Sequence, residues 1–134
     1  MMTTATMTPV QTIEAVYAAF SRGDVPFILG LIAPDASWRQ SSYVPWGGDY
    51  KGAEGAAEFF TRLDAACQTT GFVVHESVVL GDQVFSFGRH DCILRATGKP
   101  ASSEFMFRWR VENGRIVSYQ SYVDSGAVLA ASQV

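Results

Sequence analysis

Arg89, Asp91 and Asp124 are the residues of this 134-residue chain whose types suit shared chemistry. Two carboxylates facing one cavity can divide acid–base work. One deprotonates a water, the other protonates a departing oxygen, and a guanidinium keeps the pair ordered. Each group also has a plainer role: Arg89 and Asp91 as an ion pair on a strand surface, and Asp124 as the cap of a helical turn beginning at Ser125. Other reactive residues are sparse. His75, His90, Cys67 and Cys92 have no metal-ligand spacing, so neither a metal nor a cofactor is expected. Gly47-Gly48 and Gly52 lack the strand-to-helix context of a phosphate loop, and there is no nucleophile elbow.

The elements that must position these groups follow from periodicity and punctuation. Thr8-Pro9 is a helix start, followed by Val10, Ile13, Tyr17 and Phe20 at helical spacing and stopped at Gly23. Asp24 caps a shorter helix that ends at Pro34. Ala36 to Ser41 reads as a strand with Trp38 and Gln40 on one face, and Tyr43 to Gly48 as a loop. A third helix runs from about Gly52 to Gln68. After Gly71 come four strands, Phe72–Leu80, Gln83–Arg95, Ala101–Glu112 and Arg115–Asp124, then a helical turn from Ala127 to Ala131. Helices first and a meander after them predict an α+β domain.

Asn113-Gly114 predicts a two-residue hairpin, because both positions tolerate positive φ. An uninterrupted register then places Phe105, Phe107, Trp109, Gln120, Tyr122 and Asp124 on the core face. Glu104, Met106, Arg108, Arg110, Tyr119 and Val123 fall on the outer face. For the preceding strand, an odd-length loop or a bulge near Pro100 turns Arg89 and Asp91 inward with Phe85 and Phe87. An even-length loop turns His90 and Cys92 inward instead. Matching Phe85 and Phe87 to the core selects the first.

Hydrophobic residues make up 48% of the chain and charged residues 17%, against about 25% charged in an average domain. With 9 Phe, 5 Tyr and 3 Trp, this implies a large core or an apolar cavity and excludes a disordered chain. The net charge is −3 with no long block of one sign, which argues against nucleic acid and against a polybasic membrane anchor. Arg108-Trp109-Arg110 alternates, so its tryptophan belongs to the core. The Val25–Pro34 stretch is too short to span a bilayer. Residues 1–7 read as a flexible tail without signal-peptide character, residues 8–131 as one domain, and the expected location is the cytoplasm.

Several segments give the chain a family resemblance: Val16 to Asp24, Ala33-Pro34-Asp35-Ala36-Ser37-Trp38, Pro45 to Gly52, Ala96 to Pro100, and Asn113 through Asp124. It resembles the nuclear transport factor 2-like superfamily, in its SnoaL-like and ketosteroid isomerase-related branch. The resemblance implies a cystatin-like cone of three N-terminal helices on a curved, mainly antiparallel sheet, with an apolar pocket and a homodimer through the outer sheet face. It also implies acid–base chemistry without a cofactor (cyclase, isomerase or epoxide hydrolase type) on a small hydrophobic ligand, or a non-catalytic binding module. The isomerase base corresponds to Gln40, its helix-one tyrosine to Val16 and its acidic donor to about Phe107, which disfavours that activity. The acidic residue of SnoaL-like cyclases corresponds to Asp124, whereas a histidine common among them corresponds to Phe107. Limonene epoxide hydrolase is similar in Arg89-His90-Asp91 and Tyr122-Val123-Asp124, with Trp38 and Gln40 in place of its tyrosine and asparagine. The candidate catalytic set is therefore Asp124, Asp91 and Arg89. The candidate lining is Tyr17, Trp38, Gln40, Phe60, Phe107, Trp109, Gln120 and Tyr122.

Overall fold

Local capping sets the first helix. In the computed structural model, which describes residues 6–41 and 43–134, α1 runs Pro9–Ser21. The Thr8 hydroxyl accepts from the Gln11 amide at 3.2 Å, while the Gln11 side chain accepts from the Thr8 amide at 2.9 Å. This reciprocal box satisfies two donors that the helix cannot satisfy internally. α2 (Val25–Leu29) is capped by Asp24, whose carboxylate accepts from the Phe27 amide. Of the expected tail, residues 1–5 lie outside the described residues.

The sheet has six strands: β1 (Ile32–Gln40), β2 (Gly48–Lys51), β3 (Cys67–Leu80), β4 (Gln83–Leu94), β5 (Pro100–Glu112) and β6 (Arg115–Val123). Their spatial order is β2-β1-β6-β5-β4-β3, with only β1 and β6 parallel. α3 (Gly52–Ala66) follows β2, and α4 (Ser125–Ala131) follows β6. The expected α+β architecture of helices on a curved sheet is therefore present. The loop expected over Tyr43 to Gly48 leads into β2, a strand for which the sequence carries no signal. That strand forms because Gly48 to Lys51 pair with Gln40 to Ser37 across a glycine-rich return. β3 begins at Cys67 rather than Phe72, since pairing with Leu94 extends it directly from α3.

Two register details decide which side chains enter the core. The hairpin at Asn113-Gly114 has positive φ at both residues and pairs Glu112 with Arg115, as expected. Val111 then pairs with Ile116 but Arg110 with Ser118, so Val117 is an extra residue. This bulge reverses every later inside–outside assignment on β6. Tyr119, Ser121 and Val123 turn inward, whereas Gln120 and Tyr122 turn outward, the reverse of the uninterrupted reading. On β4, the loop from Leu94 to Lys99 has an even length, and Ile93 pairs with Pro100. Val84, Ser86, Gly88, His90 and Cys92 therefore share the core face with Trp109, Phe107, Phe105, Ser103 and Ala101.

The core gathers around Trp38, which is 1% exposed. Its ring lies 4.3 Å from Tyr119, 5.6 Å from Phe59 and 5.7 Å from Trp109, centroid to centroid. Ile13, Val16 and Ala19 supply the buried stripe of α1. Among the described residues, no helix is long and apolar enough to cross a membrane.

Candidate functional site

The helices and the concave sheet face do not close completely. Between them lies a cavity of about 80 Å³, walled by aromatic rings and a few neutral polar groups. Phe72, Phe105 and Phe107 form a stacked wall, with successive centroids 5.4 and 3.9 Å apart. Trp38, Phe59 and Phe60, packed against one another, also line the cavity.

The polar groups come from three directions. From α1, the Tyr17 hydroxyl accepts the Trp109 indole N–H at 2.9 Å, and burial pushes the phenol up to about 12. From β6, Tyr119 donates to Gln40 Oε1 at 3.3 Å, and complete burial pushes its pKa up as well. Both phenols are therefore neutral donors over the physiological range. From β4, His90 shares a 2.8 Å hydrogen bond between its Nε2 and Thr69 Oγ1, with the Trp46 ring edge-on 6.3 Å away. Burial pushes His90 below the ordinary histidine value, with the neighbouring Asp91 charge opposing, so its neutral form dominates at pH 7.

Two residues of the lining each carry a buried polar atom without a clear partner among the described residues. Trp38 Nε1 is buried and makes no hydrogen bond; Ser121 Oγ is buried without a bond of good geometry, although it lies close enough to the Tyr119 hydroxyl to offset part of the rise in that phenol's pKa. An unsatisfied buried donor or acceptor costs about 1–3 kcal/mol, so such atoms are unusual in a core.

Six of the expected lining residues do line the cavity: Tyr17, Trp38, Gln40, Phe60, Phe107 and Trp109. Gln120 and Tyr122 do not, because the Val117 bulge turns them to the outer face, where Tyr122 is exposed. The three candidate catalytic residues are not brought together at the cavity. Arg89 and Asp91 project from the outer face of β4 for the parity reason above. They pair at 3.2 Å, and Ser102 donates to Asp91 at 2.6 Å. That hydroxyl, with Arg89 beside it, holds the Asp91 carboxyl below its usual range. Asp124 is exposed at the N-cap position of α4, makes no side-chain capping bond, and is absent from the lining. Among the described residues, no carboxylate lines the cavity. His90, Tyr119 and Ser121 were missed as lining. The first was legible as the even-loop alternative; the other two enter the cavity only through the Val117 bulge, which has no sequence signal.

A cone of helices on a bent sheet, around an aromatic cavity, defines the nuclear transport factor 2-like fold. The family profile of the SnoaL-like domain matches residues 13–119, and the chain belongs to that family. Among solved structures it is similar to a nuclear transport factor 2-like protein of Burkholderia thailandensis. The two are 30% identical over 96% of this chain and 99% of that one, with a TM-score of 0.90. It is also similar to a loop-truncation variant of IdmH, at 26% identity over 94% of this chain and all of that one, TM-score 0.77. TerC, crystallised with polyporic acid, shares the fold at 24% identity over 92% of this chain and 96% of that one, TM-score 0.81. No curated protein matches.

Proposed function

We propose that this SnoaL-like protein holds a small, uncharged, largely apolar molecule through an oxygen that accepts a hydrogen bond. The observation that carries this reading is that two residues of a mostly aromatic lining, Trp38 and Ser121, hold buried polar atoms, Nε1 and Oγ, without a well-formed hydrogen bond. A ligand oxygen offers each a partner that the protein does not. The neutral phenols and the neutral His90 add no charge, so a charged ligand loses its hydration without compensation. The lack of a lining carboxylate among the described residues favours holding over transforming, since proton transfer would fall to His90 alone. The test is a titration with 2-butanone and with the sec-butylammonium ion, following the indole N–H resonances by NMR. The ketone is expected to move the Trp38 signal and the ammonium to leave it in place. Equal responses, or none to the ketone, would reject the reading.

The second proposal is a homodimer through the outer sheet face. Phe87, Met106 and Tyr122 lie side by side there in register, and Phe87 and Tyr122 are 42% and 48% exposed. Apolar rows of this type favour association with a self-complementary face. Sedimentation at micromolar concentration is expected to give a dimer mass, and Met106→Glu to shift it to monomer by burying an unpaired charge. A strictly monomeric wild type would count against this face.

A further inference from the structure

We infer that the open cleft beside the cavity is the outer half of the same ligand site. It takes the hydrogen-bond-donating, uncharged polar end of a molecule whose short apolar end occupies the cavity. The inference rests on the ligand-holding reading above and deepens it to a neutral amphiphile bearing a hydroxyl or amide.

The cavity by itself is small. Its 80 Å³ is about half of the roughly 150 Å³ that houses a benzene ring in an apolar protein cavity, so it takes only a few heavy atoms. The cleft, between α1 and α2 on one side and α3 and the start of β3 on the other, offers about 870 Å³. Phe20, Phe60, Leu63 and Phe72 line both spaces, so a single layer of side chains separates them. Three of the four are half-buried rings, with Phe20 centred 5.0 Å from Phe72 and 6.3 Å from Phe60. A polar seam crosses the same wall: Thr69 lines the cleft and bonds His90, which lines the cavity.

The cleft's chemistry sets the class of polar end. Its charged lining residues, Asp64 and Arg95, are of opposite sign and lie side by side, so the cleft carries no net charge. Arg95 Nε donates to the Asp64 carbonyl at 2.7 Å and its terminal nitrogen lies 3.5 Å from the carboxylate. The other polar groups include Thr61, Gln68, Thr69 and Thr70. Thr61 donates its hydroxyl proton to the Ala57 carbonyl at 2.9 Å, which leaves its oxygen lone pairs to accept from a ligand. These groups suit a hydroxyl or an amide N–H, and the adjacent opposite charges of Asp64 and Arg95 favour neither sign of head.

The experiment compares 2-butanone with 10-hydroxydecan-2-one, which has the same ketone end and a chain long enough to leave the cavity. The keto-alcohol is expected to bind at least about tenfold more tightly, the equivalent of burying roughly two methylenes. It should also move the amide signals of Thr69 to Gly71, which 2-butanone leaves alone. Thr61→Trp fills the cleft from an exposed helix position and is expected to abolish the gain without changing 2-butanone binding. Thr70→Trp, at an exposed strand position, repeats the test should the first variant fold poorly. A gain that survives both fillings, or no gain at all, overturns the inference while leaving the cavity reading intact. If neither ketone moves the Trp38 signal, both fall together.

Discussion

Gly88→Ala is expected to destabilise the protein by about 3 kcal/mol, because a methyl group there has no space to occupy. A Cβ on Gly88 would overlap the Val73 carbonyl oxygen and stand 2.6 Å from Cζ of Phe105. The first obstacle is backbone in the neighbouring strand, which cannot step aside as a side chain can. The second is part of the stacked wall, so Phe105 would be driven toward Phe107, 3.9 Å away. Glycine lets β3 approach here, next to the register shift between Val74 and Glu76 that helps bend the sheet. Urea unfolding of Gly88→Ala against Arg89→Ala, an exposed change on the same strand, measures the effect. A loss no larger than that of the control would show that the strand accommodates a Cβ after all.

Trp38→Ala is expected to cost about 3–5 kcal/mol, the range for emptying a buried aromatic site. The indole packs against Tyr119 and Trp109 and is almost fully buried, so nothing nearby collapses into its volume without moving those rings. Trp38→Phe separates packing from hydrogen bonding. It keeps most of the ring and removes the unpartnered Nε1–H, so the fold should survive while 2-butanone affinity falls about fivefold, one neutral hydrogen bond. Thermal unfolding reads the first effect, and the ketone titration followed on the Trp109 indole N–H, which also lines the cavity, reads the second. Unchanged ketone affinity in Trp38→Phe would remove the indole donor from the proposed site, whatever its structural importance.

Much of this architecture was legible from local chemistry. The Thr8-Pro9 start, the Asp24 cap and the Asn113-Gly114 turn act over three or four residues, and each occurs where the residue types require it. Helical spacing placed Tyr17 and Phe20, and strand alternation placed Phe107 and Trp109, on the face that lines the cavity. The even alternative for the β4–β5 loop was also visible, though the apolar Phe85 and Phe87 argued for the wrong face. They are apolar because the outer face carries its own hydrophobic row, so hydrophobicity does not distinguish the two sides of β4.

Only the tertiary structure decided the parity of β4 and β6. A single extra residue at Val117 inverts every side chain beyond it, and its cause is non-local. Between Ile32 and Ser37, β1 spans five residues while β6 spans two, from Ile116 to Ser118. Pairing along β6 must therefore satisfy an antiparallel neighbour on one edge and an irregular parallel neighbour on the other. No window of sequence contains both constraints. That one residue moves Tyr119 and Ser121 into the cavity and Tyr122 out of it. With the even loop that turns Arg89 and Asp91 away, it changes the site from a charged acid–base centre into a neutral pocket. Residue types and helix caps are local properties of the chain, whereas the face a strand presents is set by partners distant in sequence.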